Sequence, residues 1–140
     1  MEVMGRERFQ EYVLPLYREA VEELHRYGKL LGAHLDGNNA GWADLVAGSG
    51  LDYVEAFTPD DTDMTMEDAV DVWKEKILWI NFPSSVHLAS TETIERKTEE
   101  IVVSLRKHGR VIIGITEDIP ADHWQRSLGA ISRVINRFPL

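Results

Sequence analysis

The chain has 140 residues, 44% of them hydrophobic and 28% charged, a composition suited to one domain with a core of its own. Its formal net charge is −9 and its Lys and Arg residues form no long block, so nucleic acid is set aside as a partner. There is no cysteine, which excludes disulfides, thiolate zinc sites and cysteine nucleophiles, and makes a cytoplasmic location the default expectation. No apolar run approaches the ~20 residues of a membrane span, and no secretory apolar core opens the sequence.

From about Arg6 to Tyr27, the residues Phe9, Tyr12, Val13, Leu16, Ala20, Leu24 and Tyr27 recur at three- and four-residue spacings, which predicts a helix. Pro15 falls inside it and predicts a kink, or a split into a lead-in turn and a main helix. Gly28 is the expected stop. Lys29 to His34 reads as a short apolar strand that runs abruptly into a polar cluster, His34, Asp36, Gly37 and Asn38. A short helix is expected over Ala40 to Ala47. Leu51 to Phe57 is the second strand, with Glu55 enclosed by apolar neighbours, and Thr58 to Asp63 is an acidic loop. Thr65, with Asp68 three residues on, caps a helix expected to run to Trp73. Ile77 to Phe82 is the third strand and Thr91 to Lys107 the clearest helix. Arg110 to Ile115 is the fourth strand, and a last helix covers roughly Ala121 to Asn136.

Apolar, unalternating strands that alternate with helices define an α/β chain with a parallel sheet. Two architectures are open: the C-terminal half of a (βα)8 barrel, or a small open four-stranded sheet. A complete barrel typically needs ~250 residues, more than this chain has. HLDGNN, after the first strand, is neither a dinucleotide fingerprint nor a P-loop, so nucleotide binding has no support.

Ligands of α/β proteins bind at the carboxyl ends of the strands. His34 and Asp36, two apart, share a face if the strand persists through them, and form the best candidate site. The bland alternative is a strand end whose Asp, Gly and Asn simply make a turn. Glu55, a carboxylate among apolar neighbours, needs a partner or a ligand, and a structural ion pair would serve as well as a function. Glu117 and Asp118 read either as site residues or as favourable charges ahead of the last helix. Asp60, Asp61 and Asp63 lack the rest of a calcium loop and read as a solvated turn. Of the remaining histidines only His87, after the third strand, is expected to face the site. Trp42, Trp73, Trp79 and Trp124 are explained by packing.

Taken in order, FQEYVLPLYREAVEELHRYGK, HLDGN, GLDYVEAFTP, ILWINFPS and GRVIIGITEDIP resemble the C-terminal half of the uroporphyrinogen decarboxylase superfamily. That superfamily also holds zinc-dependent methyltransferases acting on corrinoids, coenzyme M and intermediates of methionine synthesis. The resemblance implies a (βα)8 barrel of which this chain supplies the second half. It also implies an active site where His34, Asp36, Glu55 and Glu117 converge, with His34, Asp36 and Glu55 catalytic. In the methyltransferase branch a His-x-Cys and a later Cys hold zinc. His34 matches the histidine, while Asp36 and Glu117 stand where the cysteines would be. His34, Asp36 and Glu117 are thus the implied ligands of zinc or another divalent metal. The Thr116-Glu117-Asp118 stretch departs from the decarboxylase branch, which places a histidine there.

The resemblance further implies a small-molecule substrate, with a corrinoid or tetrapyrrole as a ligand class, and no membrane partner. Half a barrel would leave open edges, so a homo-oligomer or a separately encoded N-terminal half is expected as partner. A working subunit and a fragment of a longer enzyme read alike. The non-enzymatic alternative is a half-barrel binding or scaffold module.

Overall fold

The computed structural model describes residues 5–59, 62–115 and 119–138. The first expected helix is one continuous helical run in three parts: α1 (Arg6–Arg8), a π-helical turn (Phe9–Val13) and α2 (Leu14–Arg26). Pro15 lies in the first turn of α2, where its missing N–H and its ring cost least, so the irregular turn falls just ahead of it. Gly28, at φ +63°, ends the run.

The strands are β1 (Gly32–His34), β2 (Tyr53–Phe57), β3 (Ile77–Asn81) and β4 (Val111–Gly114), all parallel and in the order β1-β2-β3-β4. Between and after them lie α3 (Ala43–Ala47), α4 (Met66–Val72), α5 (Thr91–Leu105) and α6 (Trp124–Ile135). This is an unclosed sheet of βα units, a partial barrel. The Thr65 hydroxyl accepts from the Asp68 N–H and the Asp68 carboxylate accepts from Thr65, so α4 opens with a full capping box. β1 starts three residues later than the apolar run suggests. Its lead-in is pinned by Asp52, whose carboxylate accepts the Leu31 N–H and whose own N–H donates to the Leu31 carbonyl, both at 2.7 Å.

The helices pack one face of the sheet. Val54, Leu78 and Ile80 are fully buried there, in one core with Val21, Val46 and Ile94. The opposite face carries His34, Tyr53, Glu55, Trp79 and Ile112, all at least partly open. Gly32 and Gly114 let its aromatic residues lie flat: a Cβ at Gly32 would overlap the Tyr53 ring, and one at Gly114 the Trp79 indole.

One irregularity decides what faces where. At Ala56 the β2–β3 register slips, so Glu55 pairs with Trp79 while Phe57 pairs with Ile80. In an even strand Glu55 and Phe57 would share a face. The bulge turns Phe57 into the core, where its ring meets Trp73 edge-on at 5.9 Å, and leaves Glu55 on the open face. Ala56 sits at φ +68°, a left-handed conformation in which non-glycine residues are strained. Among the described residues no helix is long and apolar enough to cross a membrane.

Candidate functional site

β1 and β2 are register partners at His34 and Glu55, so both side chains leave the open face side by side at the carboxyl ends of their strands. The Glu55 carboxylate meets His34 Nδ1 in a short contact, and Asp36 Oδ2 lies 2.8 Å from His34 Nε2. His34 therefore bridges two carboxylates. Glu55 is the sheltered partner, its side chain 17% exposed, whereas Asp36 is 72% exposed.

Both ring nitrogens can donate only when the imidazole is protonated. The hydrogen bond from Asp36 first, and that from Glu55 next, raise the His34 pKa above its usual 6.5, with burial opposing weakly. The arrangement is an imidazole held between a sheltered and an open acid, both of which favour its protonated form.

The loop after β1 is shaped by residues that carry no chemistry themselves. The fully buried Asn39 side chain donates to the carbonyls of Leu35 and Gly37 at 3.1 and 3.0 Å. Asp63 reaches across from the acidic loop and accepts the backbone N–H groups of Asn39 and Ala40, at 2.8 and 3.0 Å. Asp63 is exposed, as expected of the acidic turn, and also clamps the His34 loop. Asp60 and Asp61 lie outside the described residues, as do Glu117 and Asp118.

His87 does not face the site. It is fully buried, its Nδ1 2.6 Å from the Ser127 hydroxyl and its ring 5.0 Å from Phe82. The short 3-10 turn Ser84–Leu88 folds it back beneath α6. Trp79 joins the site instead. It is the register neighbour of Glu55, its ring lies 6.2 Å from Tyr53, and its buried Nε1 has no hydrogen-bond partner among the described residues. The alternation in Ile77-Leu78-Trp79-Ile80 was the available signal, since Leu78 and Ile80 take the core face.

Among the described residues no three His, Asp or Glu side chains are grouped so as to hold a metal ion. Asp36 and Glu55 approach different nitrogens of the His34 ring, and a metal needs one of those nitrogens as a bare lone pair. Glu117, the third implied ligand, lies outside the described residues, so of that set only His34 and Asp36 are placed together.

A parallel partial barrel with an acid–imidazole–acid cluster at its strand ends belongs to the class of (βα)-barrel proteins with carboxyl-end sites. The sequence matches the family described as Uroporphyrinogen decarboxylase (URO-D) over residues 1–138, and the chain belongs to that family. No curated protein matches the chain.

Proposed function

We propose that the chain is part of a decarboxylase- or methyltransferase-like lyase or transferase, with His34 as its charged donor to a small, polar substrate. The observation that carries this reading is the double pairing of His34 at the strand ends. Glu55 fixes the ring orientation and, with Asp36, favours its protonated form. Asp36, far out in solvent, is the contact that an incoming carboxylate would displace at least cost. His34 Nε2–H would then hold that carboxylate, or give its proton to the carbon that keeps the electron pair when the C–CO2 bond breaks. His34, Tyr53, Glu55, Trp79 and Ile112 are all at least partly open on the inner face, so in this reading turnover requires a covering half, and the chain alone is inactive.

The test is a nitrogen-15 titration of the His34 ring. The ring should lose its proton at a pH above 6.5, and Glu55→Gln should bring the transition down. Succinate should perturb Nε2 more than Nδ1. If succinate leaves the ring unmoved, the donor reading fails. If zinc chloride instead binds one-to-one and His34→Ala abolishes it, the metal set of His34, Asp36 and Glu117 takes its place. If neither ligand is felt, the scaffold alternative stands.

A further inference from the structure

The end of the sheet opposite His34 holds a second polar cluster that the proposed reaction does not use. Leu30, Leu51, Asp52, Lys76, Ile77 and Arg110 all stand at the amino ends of the strands, where they line an open depression of about 500 Å³. Lys76 is the unusual member. It is only 4% exposed, and lysine is seldom buried so far unless it is paired. Its ammonium donates to the Leu51 carbonyl at 2.7 Å, and among the described residues it has no other hydrogen bond and no ion pair. An ammonium carries three N–H donors, so two are left without a protein acceptor among those residues.

The acids nearby do not meet that need. The charge of Asp52 reaches Lys76, but its oxygens are engaged elsewhere. His25 Nε2 lies 3.1 and 2.9 Å from Asp52 Oδ1 and Oδ2, and the Leu31 N–H donates to Oδ2 at 2.7 Å. Glu75 is 80% exposed at its side chain, with Oε2 3.9 Å from Arg110 Nη1. A buried cation whose one partner is a neutral carbonyl is costly. Burial accordingly holds the Lys76 pKa below its usual 10.5, against the pull of Asp52. A bound anion would supply both the missing acceptors and the countercharge.

The rest of the lining narrows the anion. Arg110 engages the Glu75 carbonyl through Nη1 and keeps further guanidinium donors for a ligand. Two cations and two carboxylates share the depression, in a chain of formal net charge −9, so a dianion meets more repulsion than a monoanion. Leu30, 62% exposed, and Ile77 add apolar wall beside the charges.

We infer that this depression at the amino ends of the strands binds a small organic monocarboxylate, whose oxygens accept from Lys76 and Arg110 and whose short apolar tail lies against Leu30. The inference does not rest on the role proposed for His34.

The test adds sodium butyrate to the full chain, with sodium chloride at matched ionic strength as the blank. Butyrate should shift the backbone amide resonances of Leu51, Lys76 and Arg110 along one saturable curve. At ten times the dissociation constant it should raise the melting temperature by about 3–6 °C. Inorganic phosphate should bind at least tenfold more weakly. Lys76→Met, which keeps an apolar stem and removes the ammonium, should abolish the saturable shifts. Arg110→Gln should weaken binding at least fivefold while leaving the melting temperature of the free chain nearly unchanged, and it decides alone should Lys76→Met fail to fold. His34→Ala should leave butyrate binding intact, which separates this site from the one at the other end of the strands. Shifts that never saturate, an equal response to chloride, or tighter binding of phosphate would overturn the inference. So would full binding by either the Lys76 or the Arg110 variant, or shifts confined to the His34 end.

Discussion

The two faces of the sheet are built from the same four strands and have opposite chemistry. On the helix side Val54, Leu78 and Ile80 are wholly buried aliphatics. On the other side, one residue away along each strand, stand His34, Tyr53, Glu55, Trp79 and Ile112. The first face stabilises this chain, while the second holds chemistry and apolar surface that the chain does not itself cover. Truncation should expose the contrast. Leu78→Ala removes a fully buried side chain from a close-packed core and should cost about 2–5 kcal/mol in chemical denaturation. Ile112→Ala, the inner-face counterpart at 42% exposure, should cost less than about 1 kcal/mol. Equal losses would mean that the open face is already supporting the fold.

The inner face has its own packing rule, in which flat aromatics need glycine beside them. Gly32→Ala would drive a methyl group into the Tyr53 ring and should destabilise by about 1–3 kcal/mol. Tyr53→Ala should restore much of that loss in the double variant, giving a coupling that a double-mutant cycle measures. Additive losses would show that the ring has room to move away.

The junction between the faces is Ala56. Its left-handed backbone separates inward Glu55 from coreward Phe57. Glycine adopts that conformation freely, so Ala56→Gly should raise stability by about 0.5–1 kcal/mol, read as a shift of the denaturation midpoint. A loss would mean that the Ala56 methyl group, buried in the fold, contributes more than the strain costs.

The fold was legible in the sequence because it follows from periodicity and punctuation. Pro15, Gly28 and the Thr65–Asp68 pair mark helix boundaries, and the aliphatic runs mark the strands. The pairing of His34 with Asp36 was legible from their spacing, and Glu55 as a charge needing a partner from its neighbours. That His34 is the partner depends on the β1–β2 register, which no local pattern encodes. The bulge left no sign either, because its strained residue is alanine and not glycine. Asp63 acts on Asn39 and Ala40 from another loop, and His87 is buried by α6, forty positions away at Ser127. Tertiary placement alone reveals that the exposed Asp63 clamps a neighbouring loop and that His87 lies in the core.

His34 and His87 give the finest version of the contrast, because their environments shift them in opposite directions. Asp36 and Glu55 raise the pKa of His34 above 6.5, so the protonated ring favours the fold. That contribution is fully present below pH 6.5 and is lost as pH rises through the raised value. Screening keeps it small, since the His34 side chain is 57% exposed. Burial lowers the pKa of His87, whose Nε2 has no hydrogen-bond partner among the described residues. As pH falls below 6.5 the unfolded chain takes up that proton first, and stability drops until the lowered folded value is reached. His34→Gln should therefore flatten only the alkaline side of the stability profile, and Glu55→Gln should move that limb toward lower pH. His87→Asn should flatten only the acid side, whatever it does to stability at neutral pH. If His34→Gln changed the acid limb instead, the exposed ring would not be carrying the charge that its two carboxylates are positioned to hold.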